Sequence, residues 1–359
     1  MKILFVNTNI GYGGASKMMV WVANKCVSAG HDVTFFTYRS QEESQILENS
    51  IRHIHVQLED EFGKDKKIWG TIKFLRNYIK TECFDLAIAF LSPSQFRLLF
   101  ACKGLDCKLL FSQRGDPYQG IPGIKGKLVR WISDRLFCSA DKFVFQTPMA
   151  AKYYPKSVQK HSLVIPNPIR PLTRTVSREG NIEKTIVCVA RLDVRQKRQD
   201  LLIDAFNIIS SKYPEYKLNL YGDGFTYDEK ILRDKAKGNA NIFFMGATKD
   251  VAGAIQNAKM FVLPSDYEGI PNALLEAMSI GVPCISTDCS PGGAAMLIRN
   301  KENGMLVPRG DAKALVDAMD YIIMHQEEAE RMGHKGIEVN KLYSEDIIAK
   351  EWLTFIEKM

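Results

Sequence analysis

The chain has 359 residues, 46% of them hydrophobic and 25% charged. That excludes a disordered, collagenous or small disulfide-stapled protein and exceeds what one hydrophobic core usually holds. The formal charge of +7 is lopsided, with 23 basic against 14 acidic residues in 1–168 and 25 against 27 beyond. A basic half suits nucleic acid, an anionic membrane or a phosphorylated substrate, and composition does not choose among them.

The eight cysteines form no Cys-x-x-Cys pair. Neither a zinc knuckle nor a dithiol redox motif is expected, and reduced, mostly buried thiols are. The apolar run Ile3-Leu4-Phe5-Val6 is too short for a secretory leader, and no stretch of about 18 apolar residues occurs. A cytoplasmic chain without a membrane-spanning helix is the expectation.

In chain order, 2–7 reads as a strand. A glycine loop follows (Asn9-Ile10-Gly11-Tyr12-Gly13-Gly14), then a helix over 15–29 with Met18, Met19, Val22, Ala23 and Cys26 at helical spacing. Gly30 ends that helix, and 31–37 is the second strand. Further apolar strands at 86–90, 109–112 and 143–146 are separated by helical stretches. Residues 166–183 lack periodicity and open with three prolines in six positions, which marks a linker. The pattern then restarts, with strands at 185–190, 217–221, 242–245, 261–264 and 283–287 and a helix over 200–211. Strands alternating with helices give an α/β protein: two doubly wound, Rossmann-like domains, 1–168 and 169–342, with a cleft between them.

The most informative segment is Tyr267-Glu268-Gly269-Ile270-Pro271-Asn272, leading into Ala273-Leu274-Leu275-Glu276. Pro271 suits the first turn of a helix, whose free amides beside Gly269 make an anion-binding mouth. Glu276, about one turn inside, can accept from a ribose diol, and Glu268 from sugar hydroxyls. A capped surface helix with two solvated glutamates is the bland alternative. Arg191, just past a strand, and Lys197, just before a helix, can neutralise a diphosphate, or form a solvated basic turn. Gly11-x-Gly13-Gly14 is a weak dinucleotide fingerprint: it lacks the third glycine, and Thr37-Tyr38-Arg39 stands where an acid would end the second strand.

Taken together, these pieces resemble glycosyltransferase family 4, the retaining enzymes of the GT-B fold. The matching segments are Gly13-Gly14-Ala15, Ala190-Arg191-Leu192 with Gln196-Lys197, Tyr221-Gly222-Asp223-Gly224, Phe244-Met245-Gly246, and Pro264-Ser265 through Glu268-Gly269 to Glu276-Ala277-Met278. Gly281-x-Pro283 and Glu302-Asn303-Gly304 complete the series. The resemblance implies a nucleotide-diphosphate sugar donor, with UDP the family's commonest nucleotide, held mainly by the second domain. Arg191 and Lys197 would grip the diphosphate and Glu276 the ribose. Glu268, with the backbone of Gly269, Ile270, Pro271 and Asn272, would hold the donor sugar, Leu275 would add to the donor site, and Gly246, Thr248 and Val251 would border the base. Gly13 and Gly14 would approach the phosphate from the first domain, and 343–359 would cross back onto that domain. The implied chemistry needs neither protein nucleophile nor metal, and no Asp-x-Asp occurs.

Many family members carry a histidine near position 113, where this chain reads Gln113-Arg114-Gly115-Asp116-Pro117. Arg114 and Asp116 become the candidates for sugar contact on that side, with a plain turn as the alternative. Phe145-Gln146-Thr147-Pro148 fits a sub-group that makes bacterial surface polysaccharides. Two basic amphipathic segments, 62–80 with Ile68, Ile72, Leu75 and Ile79 on one face, and 125–131, suit either anionic lipid or packing on a sheet. The expected activity is transfer of a hexose or N-acetylhexosamine from a UDP-sugar to a lipid-linked glycan, with contact at the inner face of the membrane. No nucleic-acid partner is expected. A sugar-nucleotide epimerase, a phosphorylase, a nucleic-acid-binding protein and a nicotinamide dehydrogenase are the rival readings.

Overall fold

The computed structural model describes residues 1–11, 13–39, 46–56, 67–119, 123–169 and 182–359. Tyr12 of the glycine loop, most of the expected linker and the start of the first basic segment lie outside them. The chain divides into two compact units, Met1–Pro166 with Asp346–Met359, and Asn167–Glu345.

Unit 1 holds a seven-stranded sheet: β1 (Lys2–Asn7), β2 (Asp32–Thr37), β3 (Arg52–His55), β4 (Leu86–Ala89), β5 (Lys108–Gln113), β6 (Lys142–Phe145) and β7 (Ser162–Val164). Their order is β3-β2-β1-β4-β5-β6-β7, and every pairing is parallel. Phe5 stands opposite Phe35 on one side and Ile88 on the other. The central strands are continuous apolar runs because helices cover both faces. One face packs Phe36, Phe111 and Phe143 under the helices Lys67–Glu82 and Gly123–Phe137. The other packs Phe5 and Phe35 under helix Gly14–Ser28 and the last helix, Glu345–Glu357, whose Ile348, Trp352 and Ile356 are fully enclosed.

The edge strands β3 and β7 escape the periodicity reading. Both are short, and β3 (Arg-His-Ile-His) carries too little apolar surface to stand out.

Unit 2 holds six parallel strands: β8 (Glu183–Val189), β9 (Lys217–Tyr221), β10 (Ile242–Gly246), β11 (Ala258–Leu263), β12 (Cys284–Asp288) and β13 (Met305–Pro308). The order β10-β9-β8-β11-β12-β13 reverses direction between β8 and β11. In an open α/β sheet the crevice at the carboxyl ends of two such strands is where ligands bind. The loops that leave β8 and β11 therefore form the place to look.

Candidate active site

The loop leaving β8 is shaped by its own side chains. Asp193 accepts hydrogen bonds from the amides of Arg195 (3.0 Å) and Gln196 (2.9 Å), closing a tight turn. Its other oxygen lies 2.6 Å from Arg191 Nη2. Burial pushes the Asp193 carboxyl up, but the Gln196 and Arg195 amides and the Arg191 guanidinium outweigh it and hold the group below the ordinary carboxylate value. Buried Gln199 donates to the Arg191 carbonyl (2.8 Å) and accepts from the Asp193 amide (3.2 Å), so the start of helix Gln199–Lys212 fixes the turn.

Two glycines after β9 make room for this loop. A Cβ on Gly222 would sit 2.0 Å from the Ala190 carbonyl oxygen, and one on Gly224 2.4 Å from that of Leu192. Asp223 between them takes the Leu192 amide on its carbonyl (2.9 Å) and the Ala247 amide on its carboxylate (3.1 Å).

The loop leaving β11 meets the first loop directly. Lys197 Nζ pairs with Glu268 Oε1, which also accepts from Ser265 Oγ at 2.8 Å. The Lys197 and Glu268 side chains are 18% and 10% exposed, so this ion pair is largely withdrawn from water yet still reachable. Burial pushes the neighbouring Cys188 and Cys289 thiols up to about 12, with the Glu268 charge adding to the rise, so both are neutral.

The Asp266 amide donates to the Gln196 carbonyl (2.7 Å), and Gln196 Nε2 to the Tyr267 carbonyl (3.2 Å). Arg198, held at φ 53°, bridges Asp266 (3.1 and 3.2 Å) and Asp200 (3.1 and 3.2 Å). The loop that carries Arg191, Lys197 and Arg198 is thus braced against the loop that carries Asp266 and Glu268.

Helix Asn272–Ser279 begins immediately after, with no side chain capping its first turn. That leaves a row of backbone donors at the same sheet edge as Arg191 and Lys197. Glu276 is half-buried in this helix, and its carbonyl accepts from Ser279 Oγ (2.7 Å). Asn272 receives the Asn167 side-chain amide at 2.8 Å.

Leu275 is a correction. Its side chain is 1% exposed in the core and its amide is bonded to the Pro271 carbonyl (3.0 Å), so it has nothing left for a ligand. The Ile270 side chain is core, which agrees with a role for its backbone alone. Gly246 accepts the Gly222 amide (2.8 Å), Thr248 Oγ1 binds the backbone of Asp250, and Val251 opens helix Val251–Ile255.

The remaining candidates belong to unit 1. Gly13 precedes helix Gly14–Ser28 at φ 125°, a conformation that suits glycine. Arg114 is half-buried. Its guanidinium lies over the rings of Phe90 (4.6 Å) and Trp352 (5.2 Å), and burial lowers its pKa to about 9. It remains charged at neutral pH and supports the last helix from beneath. Asp116 accepts from the Tyr118 amide (2.9 Å) and Gln119 Nε2 (3.2 Å) and lines a cavity of about 250 Å³ with Gln95, Gln113, Arg130 and Asp134.

Two family models match the chain: Glycosyltransferase Family 4 over residues 12–171 and Glycosyl transferases group 1 over 183–325. The chain belongs to glycosyltransferase family 4. Among relatives of this glycosyltransferase, an uncharacterized glycosyltransferase of Haemophilus influenzae is 26% identical, with 98% of each chain covered. A Campylobacter jejuni α-1,4-N-acetyl-D-galactosaminyltransferase acting on a diphospho-undecaprenol-linked glycan is 25% identical, over 100% of this chain and 99% of that one. Its fold is that of the GT-B enzymes. Sucrose-phosphate synthase of Thermosynechococcus elongatus superposes with TM-score 0.81 at 20% identity, covering 99% and 98% of the chains. Anabaena HepE, solved with UDP and glucose, does so with 0.80 at 16% identity over the whole of both.

Two parts of the glycosyltransferase's site lay outside the sequence reading. Ser290 accepts the Glu268 amide at 2.8 Å. A Cβ on Gly293 would fall 1.4 Å from the Gly269 carbonyl oxygen, so only glycine lets helix Gly293–Leu297 pass behind the Glu268 loop. The run Pro291-Gly292-Gly293 after a strand was the available signal.

Proposed function

We propose that this glycosyltransferase moves a hexose or N-acetylhexosamine from a UDP-sugar to a lipid-linked glycan in surface-polysaccharide synthesis, working at the inner face of the membrane and keeping the anomeric configuration. The observation that carries the reading is the convergence of Arg191, Lys197 and Glu268 on the two switch-point loops, beside an uncapped helix start. UDP is favoured because it occupies the Anabaena neighbour, and a lipid-linked acceptor because the Campylobacter relative's name specifies one.

In this reading the bond between the sugar's C1 and the diphosphate oxygen breaks. The acceptor hydroxyl oxygen bonds to C1 on the face the diphosphate leaves, and its proton passes to the departing phosphate oxygen. Arg191, Lys197 and the helix amides stabilise the charge growing on that oxygen, which is the part of the barrier electrostatics can lower most. Arg191 is exchanged from Asp193, and Lys197 from Glu268, onto the diphosphate. Glu268, released from the lysine, is then free to accept from a donor-sugar hydroxyl.

The test is a panel of uridine, guanosine and adenosine diphosphate sugars scored by thermal shift. A uridine sugar at about a hundred times its Kd stabilises by about 2.7 kcal/mol, and Arg191→Gln removes the shift. Carbon-bound proton couplings in the product read the anomeric outcome. A panel in which no nucleotide sugar moves the melting point overturns the reading.

A further inference from the structure

Unit 1 has a switch point of its own. In the order β3-β2-β1-β4-β5-β6-β7 the direction reverses between β1 and β4, and the crevice at their carboxyl ends is where such a sheet takes a ligand. Three segments border it. Tyr38 and Arg39 follow β2, and both of their amides donate to the carbonyl of Thr8 (3.3 and 2.8 Å), which follows β1. Helix Ser92–Ala101 follows β4.

That helix starts with no side chain capping its first turn. Pro93 brings no N–H, and the Ser94 and Gln95 amides are spent on the Leu91 carbonyl (2.9 and 3.0 Å). Exposed Ser92 keeps its amide and hydroxyl for a ligand.

Arg97 turns back into the same turn. Its Nη1 donates to the Pro93 carbonyl at 2.9 Å, and its guanidinium lies 4.3 Å from the centre of the Tyr38 ring. Tyr38 is fixed in turn by a 3.0 Å hydrogen bond between its hydroxyl and that of Ser94. Arg97 is 6% exposed, and its Nε is enclosed without a hydrogen-bond partner. Burial lowers its pKa most, Tyr38 pulls the other way, and the charge of Arg39 lowers it further.

Among the described residues no carboxylate pairs with Arg97 or Arg39. A buried guanidinium beside a second cation is costly without a counter-ion. Unit 2 is the contrast, since Arg191 has Asp193 and Lys197 has Glu268. Cations without carboxylates, at the ligand edge of a sheet, are complementary to an anion that arrives from outside.

We propose that Arg97, Arg39 and the Ser92 turn form an oxyanion site on unit 1 that takes a phosphoryl group of the acceptor. Two guanidinium forks and a hydroxyl match the several oxygens of a diphosphate better than the single charge of a carboxylate. The inference deepens the proposed function and rests on it only for calling the ligand the acceptor.

The experiment is titration calorimetry of the full chain, with and without saturating UDP, at fixed ionic strength. The probes are inorganic pyrophosphate, glucuronate, and a diphosphate esterified at one end by N-acetylglucosamine and at the other by methyl. With UDP already bound, the parent binds pyrophosphate, and glucuronate about tenfold more weakly or less. The doubly esterified diphosphate binds at least as well as pyrophosphate, because an acceptor subsite admits groups on both sides. Arg39→Gln, a surface change, weakens both diphosphates by about tenfold or more and leaves UDP affinity at the parent's value.

A parent that binds UDP but no pyrophosphate on top of it overturns the proposal. So does pyrophosphate that competes with UDP, glucuronate that binds as tightly, or affinity that Arg39→Gln leaves unchanged. Exclusion of the esterified probe marks a site for free phosphate and overturns the acceptor assignment. If UDP itself does not bind, the donor reading fails, and the response of pyrophosphate binding to Arg39→Gln still decides this one.

Discussion

Replacing Lys197 with methionine separates what its charge does for folding from what it does for the donor. In the ligand-free site the ammonium is the partner of Glu268, whose side chain is 10% exposed and otherwise bonded to Ser265. Removing one member of a buried ion pair costs about 3–5 kcal/mol, because the other is left charged in a poor solvent. The 18% exposure of Lys197 lets water compensate in part, so about 2–3 kcal/mol is the expected loss. For a unit of roughly 180 residues, each kcal/mol moves the melting point by about 2–4 °C, which predicts a fall of about 4–12 °C for Lys197→Met.

Adding Glu268→Met to that variant replaces the pair by two apolar side chains and returns most of the loss. Neither the single nor the double variant regains a thermal shift with UDP, since the cation that meets the diphosphate is gone. The assay is differential scanning fluorimetry of parent, single and double variants, each with and without UDP. If Lys197→Met melts with the parent and keeps the parent's UDP shift, the ion pair has neither of the roles assigned to it.

Gly293→Ala forces the Gly269 carbonyl away, because the added carbon would lie 1.4 Å from it. It is expected to lower stability by about 1–3 kcal/mol and to weaken UDP binding. Gly115→Ala, with nothing within 4 Å, serves as the neutral control in the same melts. An alanine at 293 that behaves like the control contradicts the close approach.

Stability should also fall in alkali. Cys188 and Cys289 keep their protons up to about 12, against an ordinary 9.0. The unfolded chain therefore loses protons that the folded chain retains, and stability present below pH 9 declines as pH rises through that window. Each thiol contributes a slope of about 1.4 kcal/mol per pH unit. Urea midpoints measured in reductant should drop from about pH 8 to about pH 10, and less steeply in Cys188→Ala. A variant with the parent's slope refutes that assignment.

The parts of the site that local sequence foretells are those whose geometry is local. Arg191 and Lys197 sit at fixed offsets from a strand end and a helix start, and the all-parallel sheet sends both to the same edge. Glu268 follows β11 in the same way. What sequence cannot foretell is set across the chain: Gly293 against Gly269, Ser290 against Glu268, and Arg198 against Asp266.

Periodicity shows that a helix has an apolar face, but not whether anything covers it. Ile72, Leu75 and Ile79 are core, while Arg76 is spent on the carbonyls of Ala101 and Lys103. The comparable stripe through Leu128 and Trp131 faces out. Leu275 failed as a site residue for the same kind of reason. Its place beside Glu276 in sequence put it a third of a helical turn away, into the core.

The placement of residues 346–359 in unit 1 has a consequence for how the protein is made. Phe90 and Arg114 are translated early, but the indole that covers them belongs to Trp352, which is made only after unit 2. While ribosomes are still working through unit 2, the nascent first unit carries an unroofed apolar trench. Chaperone occupancy on the emerging chain should persist there until residues 346–359 have left the ribosome, long after the first seven strands have been synthesised.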